Sequence, residues 1–146
     1  MSEACIVGWA HAPFGKFDAS DLESLIEGVA GASIADAGLT PANVDGTFVG
    51  LFNSGFSKQD FPSSLAMQTL PELRFKPAVR LENACASGSA AIYAARDFVA
   101  AGQGRIALVV GVEKMSAERF RQKSYPKSRL RRRRPSLGKD AGRCPP

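Results

Sequence analysis

Histidine occurs once in this 146-residue chain, as His11, and cysteine three times, as Cys5, Cys85 and Cys144. A single histidine on a loop is read as a surface residue, and nothing near it in sequence suggests a cysteine–histidine dyad. Three cysteines, odd in number and very widely spaced, suit neither a disulfide framework nor a zinc site. The expectation is a protein without bound metal in the reducing cytosol. No apolar run approaches about 18 residues, so no membrane-spanning helix is expected. No basic region precedes an apolar stretch near the start, which argues against a secretory signal. The glycines from Gly8 to Gly15 lack the spacing of a dinucleotide loop, and no Gly-Lys-Ser/Thr occurs.

What remains is ordinary for a globular domain: 45% hydrophobic and 23% charged residues. The formal net charge of +5 is unevenly placed. Residues 1–116 hold 8 Lys/Arg against 12 Asp/Glu, a net of −4, and residues 117–146 hold 11 against 2, a net of +9. The second segment has no Val, Ile or Trp and contains the run Arg129-Leu130-Arg131-Arg132-Arg133-Arg134-Pro135. Two domains of unequal character follow: a folded body over 1–116 and a basic tail over 117–146, expected to be disordered. A basic arm for nucleic acid is the alternative reading of that tail, set against a segment without selected structure, which is preferred.

Along the body, residues 4–9 read as a first strand, followed by a loop from Ala10 to Ser20. Ser20-Asp21-Leu22-Glu23 has the spacing of a capping box. Leu22, Leu25, Ile26, Val29, Ile34 and Ala37 then fall on one helical face, which Gly38 terminates. Val44–Leu51 reads as a strand and Asn53-Ser54-Gly55 as a loop. Ser63 or Ser64 caps a short helix running to Leu70, and Pro71 stops it. Pro77–Leu81 is a third strand, Ala86–Ala101 a helix, and the wholly apolar Ile106–Val112 a fourth strand. The order βαβαβαβ predicts an α/β fold with a parallel-rich sheet and right-handed crossovers. Between Ala86 and Ala101 only Arg96 and Asp97 are charged. A helix apolar on most of its circumference belongs between two layers, and the body is too short to supply both.

Chemistry concentrates at Glu82-Asn83-Ala84-Cys85-Ala86-Ser87-Gly88-Ser89-Ala90. A strand ends, a cysteine sits on the turn, and a small-residue helix begins. The first helical turn has backbone N–H groups without intrahelical partners, and the helix dipole adds partial positive charge there. Both favour a thiolate, and the same N–H groups can receive an oxyanion when sulfur attacks a carbonyl. A small buried cysteine at a strand end is the competing reading. Glu82 and Glu113, at strand ends, are read as salt-bridge or cap residues.

This segment resembles the nucleophile segment of the thiolase superfamily, nearest to its sterol-carrier-protein-type and acetyl-CoA acetyltransferase-like members. Thr47-Phe48-Val49-Gly50, Ala107–Met115 and the opening Ile6-Val7-Gly8 with Pro13-Phe14-Gly15-Lys16 agree in order and spacing. The resemblance covers about residues 4 to 116 and implies an incomplete first half of a layered αβαβα fold. It implies that Cys85 is acylated by a coenzyme A thioester, for Claisen condensation or thiolytic cleavage of a 3-ketoacyl-CoA. No cofactor beyond the coenzyme A thioester substrate is implied, and complete relatives are expected to be homo-oligomers. The family's base histidine, Asn/His oxyanion residues and second cysteine belong to later motifs that this chain lacks, and Cys144 has the wrong surroundings for the last. The chain is therefore read as truncated and inactive alone. A non-catalytic acyl-CoA-binding or partner-binding module, paired with a second subunit, is the alternative.

Overall fold

The computed structural model describes residues 4–15, 21–52 and 61–115. Three helices and three strands alternate in this region. Helix α1 spans Leu22–Asp36, strand β1 Gly46–Gly50, helix α2 Leu65–Thr69, strand β2 Ala78–Leu81, helix α3 Ser87–Ala100 and strand β3 Ala107–Gly111. Single 3-10 turns at Pro41–Asn43, Pro62–Ser64 and Pro71–Leu73 each begin with proline, whose fixed φ suits a first helical position.

The sheet is parallel throughout, in the order β2-β1-β3. Gly50 lies opposite Leu81 on one side and Gly111 on the other, so the three strands end nearly level. The step from β1 to β2 and the return from β2 to β3 run in opposite directions across the sheet. A single crossover hand then requires α2 and α3 to lie on opposite faces. They do: α1 and α2 pack on one face and α3 on the other.

Period-two alternation divides the strand side chains between these layers. Val49, Leu51, Leu108 and Val110 join Leu22, Ile26, Ala30, Ile34, Leu65 and Leu73 in the larger core. Phe48, Leu81, Ala107 and Val109 face Ala91, Ala95 and Phe98 of α3 in the smaller one. There the rings of Phe48 and Phe98 meet edge to face, 5.4 Å between centroids, a geometry worth roughly 1 kcal/mol beyond burial. The α3-facing positions of β1 read Gly46, Phe48, Gly50, which leaves both ends of the strand open to close approach. A Cβ on Gly46 would meet the Phe98 ring at 3.1 Å, and one on Gly50 would meet the α3 backbone.

Helix ends follow from local chemistry. The Asp21 carboxylate accepts hydrogen bonds from the Ser24 N–H (2.8 Å) and hydroxyl (2.6 Å), so the N-cap is Asp21. The cap expected at Ser20 thus lies one residue later, as a single Asp21 N-cap rather than a capping box, and Ser20 itself lies outside the described residues. Gly38, at φ +68°, closes α1: its N–H donates to Ala35 and that of Leu39 to Ile34. Gly102, at φ +71°, closes α3 with the same pair of bonds, to Val99 and from Gln103 to Phe98. Ser64 gives no side-chain cap to α2, which grows instead from the preceding 3-10 turn.

One expected strand is absent. Residues 4–9 are in neither helix nor strand, and Ile6, Val7 and Trp9 are exposed, so the order in the described residues is αβαβαβ. An apolar stretch becomes a strand only by donating to and accepting from a neighbour, and here the described tether is the Trp9 N–H on the Asp36 carboxylate at 3.0 Å. The other strands and α3 sit where expected, a residue or two shorter at their ends. The α3 helix is covered along Ser87, Ala91, Ala95 and Phe98, while Ile92 and Tyr93 remain about half exposed. No helix among the described residues is long and apolar enough to cross a membrane.

Candidate active site at the carboxyl ends of the strands

In an open parallel sheet the carboxyl ends of the strands form the side where loops and helix N-termini converge on ligands. Cys85 lies on that side, four residues after β2 and two before α3, as an exposed free thiol. The neighbouring strand ends are tied together by side chains. Glu113, just beyond β3, accepts the Phe52 N–H at 2.9 Å beyond the end of β1. Arg80 on β2 reaches the Leu51 and Phe52 carbonyls at 3.3 and 3.2 Å and pairs with Glu82 at 2.7 Å. Arg80 and Glu82 are two residues apart on an extended chain and so share one side of it. The two glutamates thus have structural partners, as their strand-end positions suggest. The Arg80 Nε is buried without a hydrogen-bond partner among the described residues.

The turn carrying the cysteine is unusual in its backbone. Ala84, immediately before Cys85, has φ +47°, the left-handed region that costs an L-residue about 1–2 kcal/mol. The hydroxyl of Ser87 spans this residue. It donates to the Ala84 carbonyl at 2.8 Å and accepts the Asn83 N–H at 2.9 Å. Backbone bonds from Ala86 to Asn83 (2.8 Å) and from Ser87 to Ala84 (3.2 Å) complete the turn. Ser87 is buried, 6% exposed, and its polar atom is fully used. Behind it, a Cβ on Gly50 would stand 2.7 Å from the Ser87 carbonyl oxygen and 3.0 Å from the Gly88 Cα. The first turn of α3 therefore rests directly on the β1 backbone. No side chain caps the helix; Ala86 occupies the N-cap.

Cys85 sits on the turn where the strand–turn–helix pattern expects it, whereas Ser87, Ala84 and Gly50 have no individual role legible in the sequence. The available signals were Gly50 at a strand terminus and a serine opening a helix, neither of which names its partner.

The His11 ring packs edge-on against Phe14, 4.8 Å between centroids, in a cleft of about 260 Å³ between residues 10–15, α1 and the carboxyl end of β3. Cys85 does not line that cleft. At the opposite, amino end of the sheet Asp45 accepts the Arg105 and Ile106 N–H groups at 2.7 and 3.1 Å. Those two bonds hold its carboxyl below the usual carboxylate range. Among the described residues no cluster of three or more His, Cys, Asp or Glu could hold a metal ion. The Arg129–Pro135 run, Cys144 and the Asn53-Ser54-Gly55 loop lie outside the described residues.

Residues 4–138 match the family described as Thiolase, N-terminal domain, a span that enters the basic segment. The acetyl-CoA acetyltransferase of Methanothermobacter thermautotrophicus is 36% identical over 118 residues, and that of Methanocaldococcus jannaschii 34% over 117. Each alignment takes in 80% of this chain and 30% of the relative, so the chain spans about a third of those proteins' length. The acetyl-CoA acetyltransferase structure from Syntrophomonas wolfei superposes with a TM-score of 0.62 over 71% of this chain and 27% of that one, at 24% identity, which establishes the fold. An α/β unit with a parallel sheet, an exposed thiol on a tight turn between strand and helix, and a family match over most of its length together make this chain a member of the thiolase superfamily, through its N-terminal domain.

Proposed function

We propose that Cys85 is the covalent nucleophile of a thiolase-type acyl transfer whose substrates are coenzyme A thioesters. The observation that carries this reading is the exposed free thiol held on the turn before α3, in a chain of this family. The Cys85 thiolate adds to the thioester carbonyl carbon, forming a new carbon–sulfur bond. The resulting oxyanion needs hydrogen-bond donors, and first-turn N–H groups are suited to that task. Collapse breaks the bond to the coenzyme A sulfur, which leaves and takes up a proton, and the acyl group stays on Sγ. Covalent work of this kind needs free thiols, which fits a reducing compartment such as the cytosol, and it needs no resident cofactor. The names of the aligned relatives favour acetyl as the group transferred.

Making or breaking the carbon–carbon bond, by condensing the acyl-cysteine with another acyl-CoA or, in reverse, by cleaving a 3-ketoacyl-CoA to form the acyl-cysteine, requires proton transfer at an α-carbon. His11, the chain's one histidine, lines a cleft whose walls do not include Cys85. The chain on its own is accordingly proposed to accept an acyl group without turning over. The half-exposed Ile92 and Tyr93 of α3 support assembly with a further layer, from a second copy or a second subunit.

Incubation with acetyl-CoA, followed by peptide mapping, tests the reading. One acetyl group is expected on Cys85 and none in Cys85→Ser. Acetylation of Cys5 at the same rate, or no label on Cys85, would refute it.

A further inference from the structure

We infer that Ser87 is a positioning residue for the Cys85 nucleophile: its hydroxyl holds Ala84 in the left-handed conformation that presents the thiol. The inference rests on the acyl-transfer reading of Cys85 and adds to it the group that sets the thiol's placement.

The argument runs from the backbone outward. An L-alanine adopts φ near +47° only where its surroundings compensate. Rotating Ala84 back to a relaxed conformation would swing the Ala84–Cys85 peptide plane and redirect the thiol. The peptide groups whose relative orientation defines that rotation are those on either side of Ala84. The Ser87 hydroxyl holds the one that follows Ala84 through its carbonyl at 2.8 Å and, at the other end of the turn, anchors the Asn83 N–H at 2.9 Å, one peptide farther back. Between them the Asn83 carbonyl accepts the Ala86 N–H at 2.8 Å. A hydroxyl has one proton to give and lone pairs to receive, so this clamp uses both capacities of the one group. Alanine could do neither. The backbone of Ser87 cannot move closer to the sheet, because it is pressed on Gly50, where not even a methyl group fits. Strand β1, through Gly50, fixes Ser87; Ser87 fixes the turn; the turn fixes Cys85.

A positioning role differs from a merely stabilising one in what it alters. The matched control is Ser33→Ala on α1, which also loses a hydroxyl bonded to a carbonyl, that of Ala30 at 2.9 Å, away from the turn. In single-turnover acetylation by acetyl-CoA, Ser87→Ala is expected to slow labelling of Cys85 on the order of tenfold, as misplacement of a reacting atom does. Ser33→Ala should leave that rate unchanged, and iodoacetamide labelling of Cys5 should be equal in all three proteins. Adding Ala84→Gly to Ser87→Ala should return the rate toward that of the unaltered protein, since glycine takes positive φ without help. The double variant also serves if Ser87→Ala alone does not fold.

Acetylation of Cys85 in Ser87→Ala at the unaltered rate would overturn the inference, as would a double variant that folds but stays slow. If the unaltered protein is not acetylated at Cys85, the acyl-transfer reading fails instead. The clamp is then judged by iodoacetamide alone: a Cys85-to-Cys5 labelling ratio that changes in Ser87→Ala and returns in the double variant supports it, and an unchanged ratio rejects it.

Discussion

Gly50 and Ser87 are in backbone contact across the β1–α3 interface, so close that a Cβ on Gly50 would lie 2.7 Å from the Ser87 carbonyl oxygen. The obstacle is main chain, which cannot rotate aside as a long side chain can. Gly50→Ala should therefore force α3 away from the sheet and destabilise the fold by about 1–3 kcal/mol. Urea unfolding of the two proteins measures this. A change below about 0.5 kcal/mol would show that the interface opens more readily than its packing implies.

Acid should loosen the amino end of the sheet. The Asp45 carboxyl is held below its usual range first by the Arg105 N–H and then by that of Ile106. A carboxyl whose folded value is depressed contributes stability that is present above its unfolded value, near 3.8, and lost as pH falls through the lower folded value. Asp21, lowered chiefly by the Ser24 hydroxyl and then by its N–H, acts in the same direction at the start of α1. Unfolding followed from pH 6 down to pH 2 should show stability falling below about pH 4. Asp45→Ala should flatten that fall and, allowing for solvent screening, cost about 1 kcal/mol at neutral pH. An unchanged pH profile in the variant would contradict this account.

Phe75 is a second residue with positive φ, +65°, and its side chain is fully exposed. A bulky residue in that region is strained and here has no burial to offset the cost. Phe75→Gly should raise stability by about 0.5–1 kcal/mol, the relief of strain being partly cancelled by glycine's greater freedom when unfolded. Thermal unfolding monitored by circular dichroism reads the shift, and a lower midpoint would mean that the ring makes a stabilising contact.

Steady-state turnover by this chain alone should be undetectable with acetoacetyl-CoA and coenzyme A, since thiolysis needs proton transfer by a second group besides the cysteine. Activity that disappears in Cys85→Ser would show instead that a residue of this chain, or of an assembled copy, supplies the proton transfer.

Features with local causes are legible in the chain directly. Helix hydrogen bonds close within a turn, so apolar spacing places α1 and a run of small residues places α3, and Gly38 marks the end of α1 because a residue tolerant of positive φ completes that cap. The apolar runs around Phe48 and Val109 read as strands for the same kind of reason; β1 lies at the centre of the described sheet and β3 at its edge, where α1 and α3 still cover its two faces. The cysteine turn was legible through its strand–turn–helix pattern and its family likeness. Tertiary structure decided what depends on a distant partner. Residues 4–9 have a strand's composition, yet a ladder needs a second edge, and no described strand lies beside them. The seat of Ser87 on the bare backbone of Gly50 arises only when β1 and α3 meet, 37 residues apart in sequence, and contacts of that range leave no periodicity to read; the left-handed Ala84 and its clamp by Ser87 are local but have no residue pattern that marks them.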